Sequence, residues 1–155
     1  MVDHDLILAK AGSIRRNLKR ISEKGGVDLD TFLADIDRQD VISFNLHLAI
    51  ENCTDLAAHI ISEEGLGVPG SASEMFYLLE ENGYLSQKLT EKMIKAVGLR
   101  NLIVHEYDKI DLSRLFEIIH KDTKDINDFV ASIFKKLGIS TWWYSLHRAP
   151  EPLIL

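Results

Sequence analysis

Apolar residues recur at helical spacing along nearly the whole chain, and glycine or proline interrupts each run. The first run predicts a helix over Asp3–Lys24, which two consecutive glycines end. A helical turn at residues 31–36 follows, and then a long helix over Asp40–Glu64. Because alternating, strand-like patterns are nearly absent, the sequence predicts an all-α fold, an up-and-down bundle of about four to five helices.

The second half of the chain carries the signals of three more helices. Ser73 marks the start of a short helix that ends before Gly83, and Ser86 can cap the next one. Asp111 can cap a last helix that ends at Gly138. In the helix that Ser86 begins, five apolar residues are expected on the core side: Leu89, Met93, Ala96, Val97 and Val104.

Length and composition fit one helical domain over residues 1–138, followed by a tail of different character over residues 139–155. The 155-residue chain is 46% hydrophobic, which is enough for one core without cross-links. The tail is strongly apolar at Trp142-Trp143-Tyr144 and at Leu153-Ile154-Leu155, while two prolines prevent a continuous helix. Packing of the tail on the bundle is favoured over docking on a second subunit, and no role is assigned to it.

The sequence shows no signal for secretion or membrane insertion. Its N-terminus, Met1–Asp5, lacks the basic region of a secretory signal, and no apolar run is long enough to span a bilayer. The single cysteine, Cys53, excludes a disulfide within the chain, which suits a reducing compartment. A soluble, cytoplasmic protein without membrane contact is therefore expected.

Charge is distributed unevenly along the chain, whose net charge is −6. Residues 1–27 carry six Lys and Arg against three acids, residues 82–100 carry four against one, and residues 28–81 carry one against twelve. Because phosphate binding comes mostly from Lys and Arg, RNA contact is expected only at the two basic blocks. Solvated helix faces are the alternative explanation for each of these residues. The basic residues concerned are Arg15, Arg16, Lys19, Arg20, Lys88, Lys92, Lys95 and Arg100.

Residues 100–107 place several polar side chains at the end of an otherwise apolar helix. At about 100° per residue, Asn101 and His105 lie on one face, and Arg100 falls roughly 20° from Tyr107. Arg is a planar cation that matches phosphate, and His can transfer protons near neutral pH. The combination suits phosphodiester chemistry. The helix dipole and an ordinary Asn101–His105 hydrogen bond explain the same residues without a function.

Arg100, His105 and Tyr107 form an R-x4-H-x-Y pattern, and the polar Asn101 directly follows the Arg. This segment resembles the signature of the HepT-like toxins, a branch of the HEPN superfamily of helical ribonucleases. The order of elements is also similar over about residues 3–137. It comprises an Arg-rich first helix, a long second helix, a proline-bearing loop, the signature helix and a closing helix.

The resemblance implies a metal-independent endoribonuclease without a cofactor, which is the toxin of a toxin-antitoxin pair. It implies His105 as general acid or base and Arg100 as the group that binds the scissile phosphate. Asn101 is implied to orient His105 or the phosphate. It further implies a homodimer that acts on RNA rather than DNA, and an MNT-type nucleotidyltransferase antitoxin that transfers AMP from ATP to Tyr107.

Alternatives stay open at the level of sequence. The chain can instead be a non-catalytic helical adaptor that partners a nucleotidyltransferase, or a nucleotide-binding subunit that assists one. If it is a nuclease, its substrate is either messenger or transfer RNA. A metal site is disfavoured, because Glu117-x-x-His120 is one copy of a motif that di-iron bundles use twice. Polar residues at four-residue spacing on the long helix are interpreted as part solvent face and part packing surface: His47, Glu51, Asp55, His59 and Glu63.

Overall fold

In a computed structural model, which describes residues 1–140, the chain is helical apart from its connecting turns. Within this range there are seven α-helices and one short 3-10 helix. Their bounds are α1 His4–Gly25, α2 Leu29–Ala34, α3 Ile36–Glu64, α4 Ala72–Glu81, α5 Gln87–His105, the 3-10 helix Tyr107–Lys109, α6 Leu112–Lys121 and α7 Thr123–Leu137. The all-α prediction is confirmed. The aromatic and aliphatic clusters predicted for the tail lie outside the described residues.

Asp and Ser side chains hold the starts of most helices by accepting hydrogen bonds from backbone amides. A cap of this kind stabilises a helix by about 1 kcal/mol. At the other end, Gly65 and Gly138 adopt the left-handed conformation, with φ of 61° and 70°, and stop α3 and α7. The capping residues of α1 to α6 are Asp3, Asp28, Asp35, Ser71, Ser86 and Asp111.

Three boundaries differ from the prediction, and the last of them adds a helix; the predicted turn at residues 31–36 is the short helix α2. α3 begins at Ile36 rather than Asp40, because the Asp35 side chain caps it four residues earlier than expected. Ser71, not Ser73, caps α4. The predicted last helix divides at Asp122 into α6 and α7. The break falls at an aspartate followed by a threonine, two residues whose side chains compete for backbone hydrogen bonds.

α3 is the central helix of the bundle, and α1, α2, α4, α5 and α7 all pack on it. Fully buried phenylalanines from α2, α4 and α7 fill the space around it. Two of these, Phe76 and Phe129, meet edge to face with ring centroids 5.6 Å apart. The part of α3 left in solvent carries Asp37, Asp40 and Phe44 near its N-terminal end. This exposed part lies where α3 meets the end of α5.

α3 is also the longest helix, with 29 residues. Charged side chains are spread along it, from Asp37 near its start to Glu64 at its end. No helix within residues 1–140 combines the length and the apolar character that a membrane crossing needs.

Candidate active site

Two polar contacts join the C-terminal end of α5 to α3. The Nε atom of Arg100 lies 3.0 Å from Oε1 of Glu51. Two residues beyond α5, the Tyr107 hydroxyl donates a 2.6 Å hydrogen bond to Oδ1 of Asp40. Tyr107 follows Arg100 in the chain, whereas its partner Asp40 precedes Glu51, so α5 and α3 run antiparallel. The predicted Arg and Tyr are therefore anchored to the same central helix.

The Arg100 guanidinium is partly buried beside Glu51, with side-chain exposures of 21% and 35%. Its Nε–H does not point at the carboxylate oxygen, so the contact is an ion pair rather than a hydrogen bond. Within residues 1–140 no protein group bonds the two terminal nitrogens of Arg100. Those nitrogens supply the planar fork that binds phosphate oxygens. Glu51 thus fixes the cation and leaves its phosphate-binding edge available.

His105 and Asn101 occupy adjacent turns of α5, and both side chains are exposed. The hydrogen bond between them, which the sequence offered as an explanation without a function, is absent, and neither side chain has another hydrogen-bond or ion-pair partner among residues 1–140. His105 is the last residue of α5. An exposed imidazole without a structural contact remains available to exchange protons with a bound molecule.

The outward side of α5 carries one residue that was expected in the core. Val104 is 46% exposed, whereas its neighbour Ile103 is buried. The prediction was wrong because it assumed that α5 keeps one core face over its whole length. Near its end, α5 turns Arg100 toward α3, and the side with Asn101, Val104 and His105 is left in solvent.

Tyr107 does not belong to α5, so its position could not be obtained by extending the helix. α5 ends at His105, Glu106 leaves the helical conformation with φ −142° and ψ 43°, and Tyr107 begins the 3-10 helix. The ring is 38% exposed, and its place is set by the hydrogen bond to Asp40. Burial of the hydroxyl, together with that bond, raises the pKa of Tyr107 above its ordinary value. At neutral pH the phenol is therefore protonated.

Sequence reasoning missed Glu51 and Asp40 as members of the site. Glu51 belonged to the regular polar stripe on α3, and Asp55 and His59 of that stripe make tertiary contacts too. Asp55 pairs with Lys10 of α1 at 2.8 Å, and His59 accepts a 3.1 Å hydrogen bond from the Asp3 amide. The interpretation of this stripe as partly a packing surface is confirmed. Within residues 1–140 no three His, Cys, Asp or Glu side chains gather as a metal site would require.

The basic residues predicted to approach RNA are divided between two parts of the bundle. α1 packs on α3 and α6, whereas α5 packs on α3, α4 and α7, so α3 lies between the two basic helices. Arg16, Lys19 and Arg20 are exposed on α1. On α5, Lys92 pairs with Asp125 of α7 at 3.2 Å, which neutralises part of the predicted cationic block.

The surface around Tyr107 has the opposite character. Ile36 and Phe44, one turn before and one turn after Asp40 on α3, are 70% and 59% exposed. The carboxylates of Asp37 and Asp108 are also exposed there. An apolar and acidic surface repels a polyanion, and exposed apolar groups of this size are typical of protein contacts.

The fold and the site together define a class of protein. It is an all-helical protein that presents an Arg, an exposed His and a Tyr from the end of one helix, beside carboxylates of a central helix. The chain belongs to the Ribonuclease HepT-like family, whose profile matches residues 14–133. The resemblance seen in the sequence is confirmed.

Relatives and a solved structure agree with this assignment. The chain is 35% identical over 127 residues to the mRNA nuclease HepT of Shewanella oneidensis, covering 82% of this chain and 95% of that protein. It is 30% identical over 106 residues to the tRNA nuclease HepT of Aphanizomenon flos-aquae, covering 68% and 72%. The tri-AMPylated HEPN toxin of Shewanella oneidensis, solved in complex with its MNT antitoxin, matches with a TM-score of 0.80 and 34% identity. That match covers 84% of this chain and 98% of the other.

Proposed function

We propose that this chain is a metal-independent endoribonuclease and the cytoplasmic toxin of a toxin-antitoxin pair. The observation that carries the proposal is the end of α5, where Arg100 is fixed by Glu51 at 3.0 Å and His105 is exposed. In a HepT-like fold, these two side chains stand in the R-x4-H-x-Y pattern. They supply a phosphate-binding cation and a proton-transfer group without further ligands.

In the proposed reaction His105 takes the proton of a ribose 2′-hydroxyl, and the 2′-oxygen attacks the adjacent phosphorus. The bond between the phosphorus and the 5′-oxygen of the next nucleotide breaks, and the leaving oxygen takes up a proton from His105 of a second copy of the chain. Proton transfer by a placed imidazole contributes about 10²- to 10⁴-fold to such reactions. Arg100 binds the phosphate and stabilises the charge that develops on it. Asn101 is exposed beside these groups and supplies an amide for the phosphate.

A second copy of the chain is proposed to complete the cleft, because one chain presents only one such Arg and one such His. Val104 lies between Asn101 and His105 on the outward side of α5 and is 46% exposed. An apolar side chain in the middle of a polar face is typical of a surface that is covered in an assembly. Two-fold symmetry would place the same face of each copy against the other and bring the two His105 side chains together.

The proposed partner is an MNT-type nucleotidyltransferase that transfers AMP from ATP to Tyr107. The tyrosine is reachable, since 38% of it is exposed, and the apolar and acidic surface around it favours a protein over RNA. The same kind of partner occurs in the Shewanella oneidensis complex.

Inhibition by this modification cannot come from one phosphate placed directly beside Arg100. The carboxylates that anchor Arg100 and Tyr107 belong to Glu51 and Asp40, eleven residues apart on α3. Eleven helical residues span about 16 Å. An adenylate adds a ribose and a base to the phosphate and so reaches further toward Arg100, and the Shewanella oneidensis toxin is tri-AMPylated. Tyr107 then blocks the cleft by bulk and charge together.

The proposed chemistry is tested by replacing His105 with alanine. His105→Ala is expected to lower the rate of RNA cleavage by about 10²- to 10⁴-fold, because the proton-transfer group is lost. Its thermal midpoint should match the parent, since the side chain is exposed and makes no structural contact within residues 1–140. His4→Ala, which removes another exposed imidazole at the start of α1, is the matched control and should cleave at the parent rate.

The same assay tests independence from metal. Cleavage by the parent is expected to continue in excess chelator, since Arg100 and His105 supply the charge and the proton transfer. Parent-like cleavage by His105→Ala would disprove the assigned role. Loss of activity in EDTA, with recovery on adding one divalent ion, would disprove the metal-free mechanism.

A further inference from the structure

The Asp40–Tyr107 contact stands out as a short hydrogen bond at an exposed position. The Tyr107 hydroxyl donates to Oδ1 of Asp40 over 2.6 Å, a distance typical of a phenol bound to an ionised carboxylate. Both residues are exposed, so the bond adds little to the stability of the fold. Its clearest consequence is geometric, because it fixes where the phenolic proton points.

The direction of that proton leaves the oxygen of Tyr107 ready to react. With its hydrogen directed at Asp40 of α3, the hydroxyl keeps its lone pairs as acceptors. The side chain of Ser43, also on α3, acts on this oxygen in the direction that lowers the pKa of Tyr107, and the side that faces solvent stays open to an approaching group. Tyr107 begins the 3-10 helix that follows α5, and 38% of the residue faces solvent. An electrophile that arrives from solvent therefore meets the oxygen opposite the carboxylate.

The other charged groups near Tyr107 do not bond its hydroxyl. Asp37 and Asp108 are exposed on the same surface, and within residues 1–140 neither accepts the phenolic hydrogen. Glu106 and Lys109, on either side along the chain, pair with each other at 3.4 Å. Among residues 1–140, Asp40 alone accepts the hydrogen bond of the Tyr107 hydroxyl. A protonated phenol is a weak nucleophile and needs a base within hydrogen-bond distance of its proton.

We propose that Asp40 is the proton acceptor when Tyr107 is modified with AMP. The Tyr107 oxygen attacks the α-phosphorus of ATP, and the new O–P bond forms as the bond to the pyrophosphate leaving group breaks. The phenolic proton passes to Oδ1 of Asp40. This inference rests on the proposed function, in which a nucleotidyltransferase brings ATP to Tyr107. The toxin then supplies the base for its own neutralisation.

The test uses the full chain with an MNT-type nucleotidyltransferase, ATP labelled in the α-phosphate, and intact-mass detection. Asp40→Asn retains an oxygen that can accept the phenolic hydrogen bond but cannot take the proton. At pH 7 it is expected to slow AMP transfer by about 10²-fold. The affinity of the two proteins should remain at the parent value. Asp128→Asn is the control, since it removes an exposed carboxylate of α7, outside the surface around Tyr107, and should react at the parent rate.

The pH profile separates a base from a structural residue. As the pH rises toward the pKa of the phenol, phenolate forms without a base, so the Asp40→Asn rate should climb about tenfold per pH unit and approach the parent rate. Asp40→Glu, which restores a carboxylate, should recover part of the rate at pH 7. Tyr107→Phe lacks the oxygen that accepts AMP, so it gives the background signal of the assay.

The outcomes distinguish failure of the proposed role of Asp40 from failure of the proposed nucleotidyltransferase partner. Equal rates for parent and Asp40→Asn at pH 7, or a deficit of constant size from pH 7 to about 9.5, would overturn the role of Asp40. A parent chain that receives no label at all would overturn the proposed partner, and the inference with it. A changed thermal midpoint of Asp40→Asn with no recovery at high pH would assign Asp40 to structure alone.

Discussion

Two polar contacts to α3, one at Arg100 and the other at Tyr107, are each made with a carboxylate but lie in different surroundings. We call them the first and the second end. At one end, Arg100 and Glu51 form a partly buried ion pair at 3.0 Å, beside the exposed His105. At the other, Tyr107 and Asp40 share a 2.6 Å hydrogen bond within an apolar and acidic surface. A carboxylate of α3 anchors the functional side chain in both cases. The difference lies in the neighbours, which are an exposed imidazole beside Arg100 and exposed apolar and acidic side chains around Tyr107. The first set suits a phosphate, and the second suits a protein.

Among substitutions at the contacts with α3, the largest expected effect comes from removing the cation of Arg100. Arg100→Ala should lower RNA cleavage by about 10²- to 10³-fold, because one preorganised group that stabilises the transition-state charge is lost. Arg100→Lys should recover only part of the rate, since a lysine lacks the planar fork. Initial rates on a defined RNA measure both. A lysine variant as active as the parent would show that charge alone matters at this position.

A large effect is also expected from a charge on the outward side of α5. Val104→Glu should dissociate the proposed dimer, because a carboxylate would face its own copy across the two-fold axis. Sedimentation at micromolar concentration should show a dimer for the parent and a monomer for the variant, with cleavage lost in parallel. Val68→Glu, at a residue that is 98% exposed in a loop, is the control. Cleavage by a monomeric parent would remove the argument for a composite cleft.

A smaller effect should follow when Glu51 loses its charge. An ion pair of this exposure is worth about 1 kcal/mol or less, so Glu51→Gln should reduce cleavage by roughly fivefold at most. The loss should appear in the rate constant as well as in RNA affinity, because Glu51 fixes the position of Arg100. Asp55→Asn, one turn further along α3 and paired with Lys10, should leave cleavage unchanged. Equal effects of the two substitutions would mean that Glu51 acts only through general stability.

The smallest effect on cleavage is expected at the second end. Tyr107→Phe should keep the RNase rate within about twofold, because it removes only an exposed hydrogen bond worth roughly 1 kcal/mol or less. It should nevertheless escape the cognate antitoxin and ATP, since the acceptor oxygen is gone. Intact-mass spectrometry should find added AMP on the parent and none on the variant. Equal labelling of both chains would place the modification at another residue.

Local signals in the chain determined most of the helical framework. Ser86 and Asp111 cap helices where the sequence places them, and paired or single glycines end α1 and α3. Such signals can be read because a cap or a left-handed glycine acts within one helical turn. The break at Asp122 was not predicted, because the apolar spacing continues through it and the interruption involves only a weak competition for backbone groups.

The proposed functional residues were also chosen from the sequence, through the R-x4-H-x-Y pattern, and their roles stay a prediction. Their surroundings did not follow from the sequence. Only the tertiary structure paired Arg100 with Glu51 and Tyr107 with Asp40, exposed Val104, and placed Tyr107 beyond the end of α5. Helix periodicity tells which residues share a face, but the neighbour that each face meets depends on how whole helices pack. Contacts between residues about fifty to seventy positions apart are therefore decided by the assembled bundle.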